Sequence, residues 1–288
     1  MNAGFSAAWL HQREPYDTAA RTAAALQLGE AEVAQALARP GGVLRVVDLG
    51  AGTGANLRYL APRLGGRQHW HVLDHDAALL AAWPALLSDW ARGFGGHATL
   101  AGETLQVDAP ALQLTVQRQR CDLSRPLPES AFDGTGLVTA SALLDLMSAP
   151  CLGALLERGS DAGVAWWFAL SVDGRFGWPE LDADDTFVTA AYTRHQGGDK
   201  GFGPALGPQA PAFAAHSLQE RGYLLREADS DWQLDTGAMR TAQIGGMAEA
   251  ATEAQPDAAL RIAAWRTRRL AAAGVLVVGH RELIALPG

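Results

Sequence analysis

One stretch constrains this chain more than any other. Val43-Leu44-Arg45-Val46-Val47-Asp48-Leu49 is a short apolar, β-branched run, the pattern of a strand covered on both faces. Gly50-Ala51-Gly52-Thr53-Gly54 follows at once, and Ala55–Leu64 then reads as a helix that stops at Gly65-Gly66. A strand, a glycine turn and a helix N-terminus bring unpaired N–H groups and a partial positive charge to one spot. Glycines let a ligand approach the backbone closely there. The combination is a seat for an anionic or strongly polar group.

The rest of the chain extends that unit. Residues 70–73, closed by Asp74, read as a second strand, and Asp76 is placed to cap the helix after it. Strands are expected at 112–120, ending in Cys121-Asp122-Leu123, at 136–140, and at 163–171, which holds Trp166-Trp167-Phe168. A helix is expected over 143–156. Alternating strands and helices argue for a parallel sheet with helices on both faces. The first forty residues read as helix, ended by Pro40-Gly41-Gly42. Residues 172–211, rich in Gly, Pro and Asp, read as a long loop, a kind that is usually functional. A helix at 212–221, a sixth strand at 223–232, a helical insert at 237–272 and a last strand at 275–286 complete the pattern. The expectation is a single α/β domain over 1–288, with a helical lid at 1–40, a cofactor-binding core at 41–171, a substrate loop at 172–211 and the end of the sheet at 212–288.

Composition removes several alternatives. Hydrophobic residues make up 48% and charged residues 19%, too apolar for a disordered chain. No apolar run reaches the ~20 residues of a membrane span. The start of the chain lacks the basic-then-apolar pattern of a signal peptide, so a cytoplasmic protein is expected. A net charge of −8 repels nucleic acid on average. Cys121 and Cys151 form neither a disulfide framework nor a C-x-x-C pair. His69, His71 and His75 have no further ligand at a suitable spacing, so no metal is expected.

Two cofactor readings fit the glycine turn. Gly50, Gly52 and Ala55 satisfy the dinucleotide pattern G-x-G-x-x-A, and Asp74, about 20 residues on, could hold a ribose. The whole string from Val46 to Gly54, however, closely resembles motif I of class I S-adenosylmethionine-dependent methyltransferases. In that family an acid stands two positions before the first glycine, as Asp48 does here. An acid ends the second strand (Asp74), an Asp follows the third (Asp122), and Phe-Asp leads into the fourth (Phe132-Asp133). The resemblance covers 43–171 well, and 212–288 only by the order of elements. Asp48 and Asp122 have no role in the dinucleotide reading.

The resemblance implies a doubly wound, mostly parallel seven-stranded sheet with an antiparallel last strand. It implies S-adenosylmethionine as cofactor and S-adenosylhomocysteine as product. Gly50, Ala51, Gly52 and Gly54, with Asn56, should pass along the methionine part, and Asp48 should lie near its ammonium. Asp74, with His75, should meet the ribose, and Asp122 with Leu123 the adenine edge. Ser141 should stand where the fourth strand meets the cofactor.

Substrate residues are less sharply marked. Thr139-Ala140-Ser141-Ala142-Leu143-Leu144-Asp145 lacks the Asn/Asp-Pro-Pro-Tyr/Phe signature of amino-group methylation on nucleobases and glutamine. Asp145 is either a first-turn helix acid or part of the site. The run from Trp9 to Asp17 resembles the lid helix of small-molecule methyltransferases, and Arg13 and Tyr16 are expected to close over the cofactor carboxylate. A surface helix is the alternative. Of 23 basic residues all but Lys200 are Arg, and this single Lys lies in the glycine-rich run after His195. Lys200 and His195 are expected to hold an anionic substrate, with His195 as general base; the alternative is a solvated loop. The expected function is in-line methyl transfer to a small, anionic molecule, with no nucleic-acid or membrane partner; a homodimer stays open. Two rivals are an enzyme using the same cofactor for other chemistry, such as cyclisation, and a non-catalytic partner subunit.

Overall fold

The computed structural model describes residues 5–39, 41–235 and 237–288. The first four residues of the expected lid, its end at Pro40, and Thr236 lie outside them. Two helices, α1 (Ala7–Leu28) and α2 (Glu30–Leu37), precede β1 (Leu44–Leu49) and α3 (Ala55–Leu64). Next come β2 (Gly66–Asp74), α4 (Ala77–Ala81), α5 (Trp83–Gly93), β3 (His97–Ala101), β4 (Thr104–Ala109) and β5 (Leu112–Arg120). β6 (Leu137–Ser141), α6 (Ala149–Asp161), β7 (Ala165–Gly177) and α7 (Asp185–Gln196) follow. The chain closes with α8 (Ala210–Glu220), β8 (Leu224–Asp229), β9 (Trp232–Leu234), α9 (Ala238–Ala254), α10 (Ala259–Ala271) and β10 (Leu276–Leu286). No described helix is long and apolar enough to cross a membrane.

The strands join one 10-stranded sheet in the order β3-β4-β5-β2-β1-β6-β7-β10-β8, with β9 paired to β10. β1 pairs in parallel with β2 and β6, β2 with β5, and β6 with β7. β10 runs antiparallel to both β7 and β8. The expected sheet is therefore present as β1, β2, β5, β6, β7, β8 and β10, and the hairpin β3–β4 and the short β9 are additions to it.

Register places the site. Leu49 lies level with Leu73 on one side and Ala140 on the other. The residues just beyond, Gly50, Asp74 and Ser141, thus emerge side by side at the carboxyl ends of the strands. β1 is also where the strand order reverses, the position at which open α/β sheets bind ligands. Both faces are covered. Val46, Trp70 and Val72 pack under Leu57 and Leu60 of α3, while Val138, Trp166 and Phe168 pack against Leu152 and Leu156 of α6.

Several expectations need correction. The long loop at 172–211 is not a loop throughout: β7 runs on to Gly177 and α7 occupies Asp185–Gln196. The reason is tertiary. Asp185 accepts hydrogen bonds from Trp265 Nε1 (2.9 Å) and Arg269 Nε (2.8 Å), and Arg268 and Arg261 of α10 bind Asp182 and Asp184. These partners lie more than seventy residues away, so no local pattern announces the helix. The helix expected at 143–156 starts instead at Ala149, after a short 3₁₀ turn at Leu144–Leu146, where Ser148 caps it. The first helix is divided at Gly29, which takes the left-handed conformation (φ +61°). The sixth strand breaks between Asp229 and Trp232, giving β8 and β9.

Candidate active site

The glycine turn is built for close approach. Gly50, Gly52 and Gly54 have φ of +65°, +53° and +88°, which L side chains rarely adopt. A Cβ at each would also meet a neighbour: Leu143 at 3.2 Å from Gly50, Leu10 of α1 at 3.1 Å from Gly52, and the Trp83 ring at 3.0 Å from Gly54. Trp83 Nε1 donates to the Gly52 carbonyl (2.8 Å). Asp74 Oδ2 accepts from Gly52 N (2.7 Å) and its Oδ1 from Asp76 N (2.8 Å). Asp74 therefore braces the turn, and its carboxylate retains acceptor capacity, since two oxygens offer about four lone-pair sites.

Asp48 lies fully buried behind the turn. Its Oδ1 accepts from Asn56 Nδ2 (2.8 Å), and its Oδ2 has no partner in the protein. Burial pushes the Asp48 carboxyl up to about 7, against the pull of Asn56 and Arg21. Asn56 Oδ1 accepts from Arg21 Nη1 (2.9 Å), and Arg21 Nε lies 2.6 Å from Glu282 Oε1. One buried polar chain thus ties α1, α3, β1 and β10 together behind the turn. α1 is also fixed by Glu14, which pairs with Arg58 of α3 at 2.6 Å.

On the adenine side of the expected site, Asp122 is exposed and accepts from Ser124 N (3.0 Å) and Oγ (2.6 Å), which holds its carboxyl below the usual carboxylate range. His75 is largely exposed, with Nδ1 3.4 Å from Asp74 Oδ1. Ala51 is buried in the turn and Ser141 ends β6.

Two cavities flank the segment 141–147. The larger, about 350 Å³, is mainly apolar and includes Leu49, Leu123, Leu143, Met147, Cys151 and Phe202 in its wall. The smaller, about 130 Å³, includes Trp9, Arg13, Asp145, Tyr192, Trp232 and His280. Leu143 both covers Gly50 and lines the larger cavity, so the turn and that cavity share a wall. The only non-glycine residues with left-handed φ among those described, Ala142 (+52°) and Leu170 (+53°), both line the smaller one. Strain of this kind persists only where the surrounding structure enforces it, often at functional sites.

The smaller cavity gathers perturbed groups. Asp145 Oδ1 is buried without a partner. Burial pushes its carboxyl up to about 6, while Arg13 and Lys200 pull the other way. Tyr192 is pushed up to about 12 by burial and by the nearby Asp145 charge. Burial drives His280 down to about 3, with Arg13 adding to the effect. His280 Nδ1 lies 3.0 Å from the Val278 carbonyl, which fixes the proton there and leaves Nε2 as an acceptor. The His280 ring packs on Trp232, with centroids 4.8 Å apart.

The structure places the residues expected at the cofactor carboxylate, Arg13 and Tyr16, and those expected at the substrate. Arg13 lines the smaller cavity, held by Asp17 through bonds of 2.9 and 3.1 Å and set over the Trp232 ring. Tyr16 packs partly buried in the same cluster as Trp9. Lys200 approaches Asp145 but is not part of the cavity wall. Its loop is shaped by Asp199, whose Oδ1 accepts from Gly201 N (2.7 Å) and Gly203 N (2.9 Å). His195 does not reach either cavity: its Nε2 lies 2.9 Å from Glu253 Oε2 on α9. Tyr192 and Gln196, four apart on α7, share the face that points inward, and His195 falls off it. Neither Lys200 nor His195, the anion site expected from sequence, belongs to the wall of either cavity. Tyr192, Trp232, Gln243 and His280 come from separate elements and were not marked by any motif. The one available hint was that His280 and Glu282 interrupt the apolar face of the last strand.

No protein-family model matches the chain, and no curated protein matches it. Among solved structures, a cyclopropane-fatty-acyl-phospholipid synthase-like protein from Lactobacillus casei superposes with a TM-score of 0.55 at 14% identity, covering 98% of this chain and 95% of its own. An S-adenosylmethionine-dependent methyltransferase from Geobacter sulfurreducens, solved with S-adenosyl-L-homocysteine, gives a TM-score of 0.42 at 14% identity, covering 91% of this chain and 90% of its own. The [4+2]-cyclase SpnF gives 0.39 at 18%, covering 89% and 80%. Strand order, the antiparallel β10 and the glycine turn at the reversal of strand order together define the Rossmann-like fold of class I methyltransferases.

Proposed function

We propose that the chain is an S-adenosylmethionine-dependent methyltransferase acting on a small molecule. The observation that carries this reading is the glycine turn, left-handed at three positions, beside two cavities that share the segment 141–147. The residues present fit the cofactor. The orphaned Asp48 Oδ2 and the spare lone pairs of Asp74 can accept from ammonium and ribose donors. The larger cavity, walled by Leu49, Leu123 and Leu143, offers apolar surface for a flat base. S-adenosylmethionine would supply a methyl on a sulfonium and leave as S-adenosylhomocysteine.

The protein's own contribution is placement and exclusion of water. Trp83, Leu10 and Leu143 hold the glycine turn in one shape. Asp74 fixes Gly52 so that the turn need not reorganise on binding. Trp9, Tyr192 and Trp232 line the smaller cavity, which would hold an acceptor; aligning it with the methyl donor would supply several kcal/mol of a barrier. Asp145 is the group in that cavity suited to receive a proton, since burial keeps His280 neutral down to about pH 3. Calorimetric titration with S-adenosylhomocysteine and with NAD tests the reading. Binding of the first and not the second, lost in Gly52→Val, is the expected result. Binding of NAD alone would replace it with a dinucleotide enzyme.

A further inference from the structure

The smaller cavity holds an imbalance of hydrogen-bonding groups. Asp145 Oδ1 and Gln196 Oε1 are buried there with no partner in the protein. His280 adds Nε2 as a further acceptor, because Nδ1–H is committed to Val278. Part of the donor capacity of the same wall is engaged: Arg13 Nε and Nη2 by the two oxygens of Asp17, and Trp232 Nε1 by Asp17 Oδ1 at 3.0 Å. Gln243 is occupied with the Tyr192 hydroxyl. Buried acceptors in native proteins nearly always find a donor. An occupant that carries donors would meet them.

Charge leads the same way. Arg13 is paired with Asp17, whereas the Asp145 carboxylate makes no ion pair with another residue of the wall. Lys200, the other cation near Asp145, stands outside the wall. The remaining surface is aromatic, from Trp9, Phe176, Tyr192 and Trp232, and aromatic faces attract cations. Size sets the scale: the cavity is about 130 Å³, and an apolar protein cavity of about 150 Å³ holds benzene.

We propose that this cavity takes a small amine of about one ring in size, its nitrogen on Asp145 and its apolar body against Trp9, Phe176, Tyr192 and Trp232. That this amine is the methyl acceptor rests on the methyltransferase reading. The ammonium first gives one proton to the Asp145 carboxylate. The freed nitrogen lone pair then forms the N–C bond as the S–C bond breaks, its electron pair leaving on sulfur. The product is the methylated ammonium and neutral S-adenosylhomocysteine, and the proton on Asp145 returns to solvent. This replaces the anionic acceptor expected from Lys200 and His195.

Three ring-sized probes decide it: benzylamine, benzyl alcohol and benzoate, titrated calorimetrically into the protein with and without S-adenosylhomocysteine. Benzylamine should bind about tenfold tighter than either of the others, the scale of one charge-assisted hydrogen bond. Asp145→Asn should abolish that preference and leave benzyl alcohol binding in place, which also shows that the variant is folded. Benzoate binding as tightly as the amine, an amine preference that survives Asp145→Asn, or no binding of any probe overturns the proposal. The wild-type ranking stands by itself if the variant does not fold. Failure of S-adenosylhomocysteine to bind strikes the methyltransferase reading separately, because the probes are also read on the free protein.

Discussion

The glycine turn and the smaller cavity lie on either side of one short segment, and they are made in opposite ways. The turn is main chain. The N–H and C=O of Gly52 are held by Asp74 and Trp83, and the residues of the turn are nearly contiguous. The cavity is side chain. It draws on α1, β7, α7, β9, α9 and β10, carries left-handed backbone at Ala142 and Leu170, and leaves acceptors unmet. A seat made of backbone can serve one constant ligand with little sequence. A cavity made of distant side chains can be tuned to one acceptor, and stores the cost as strain and unmade hydrogen bonds.

The largest effect should come from cutting the support behind the turn. Arg21→Ala leaves Glu282 buried without its counter-charge and unties Asn56 from α1, and a loss of about 3–5 kcal/mol is expected. Urea unfolding checks it; a change near zero would mean the buried chain does not hold the turn. Gly54→Val combines left-handed φ with contact on the Trp83 ring, and should cost about 3 kcal/mol and abolish binding of S-adenosylhomocysteine.

Subtler is the response to pH. Asp48 has a folded value near 7, above the ordinary carboxylate range. Its contribution to stability is present below about pH 4 and is lost as pH rises through 7. Asp48→Asn should therefore match the wild type near pH 4 and exceed it in melting temperature near pH 8. In the cavity His280, held near 3, works in the opposite sense: its contribution is present above about pH 6.5 and is lost as pH falls towards 3. Asp145, raised to about 6, partly offsets it. Melting curves of Asp48→Asn and His280→Asn across pH 3–8 would separate the two regions, and parallel curves would erase the distinction. The smallest effect belongs to His195→Ala, which removes a half-exposed pairing with Glu253 outside both cavities. Turnover and cofactor affinity should stay within about twofold, and stability within about 1 kcal/mol. A tenfold fall in turnover would return His195 to the active site.

What could be read from sequence follows the same division. The strand, the glycine turn, Asp48, Asp74 and Asp122 lie in short windows where period, glycine spacing and strand ends all speak locally. Alternation of elements pointed to a parallel sheet covered on both faces, and the family resemblance to its antiparallel last strand. The hairpin β3–β4 escaped because its strand face at His97–Ala101 is mostly exposed and has no clear apolar alternation. α7 escaped because Arg268, Arg269 and Trp265 stabilise it from far along the chain. Lys200 drew attention through its rarity, and the fold does bring it near Asp145, yet outside the wall. Tyr192, Trp232 and His280 converge only when α7, β9 and β10 are in place, so no window of sequence could have joined them.

Amide hydrogen exchange with and without S-adenosylhomocysteine tests the central claim most directly. The account predicts added protection in peptides covering 48–58, 74–80, 121–127 and 141–147, with little change across 185–200. Protection confined to 185–200, or none in the glycine turn, would contradict it.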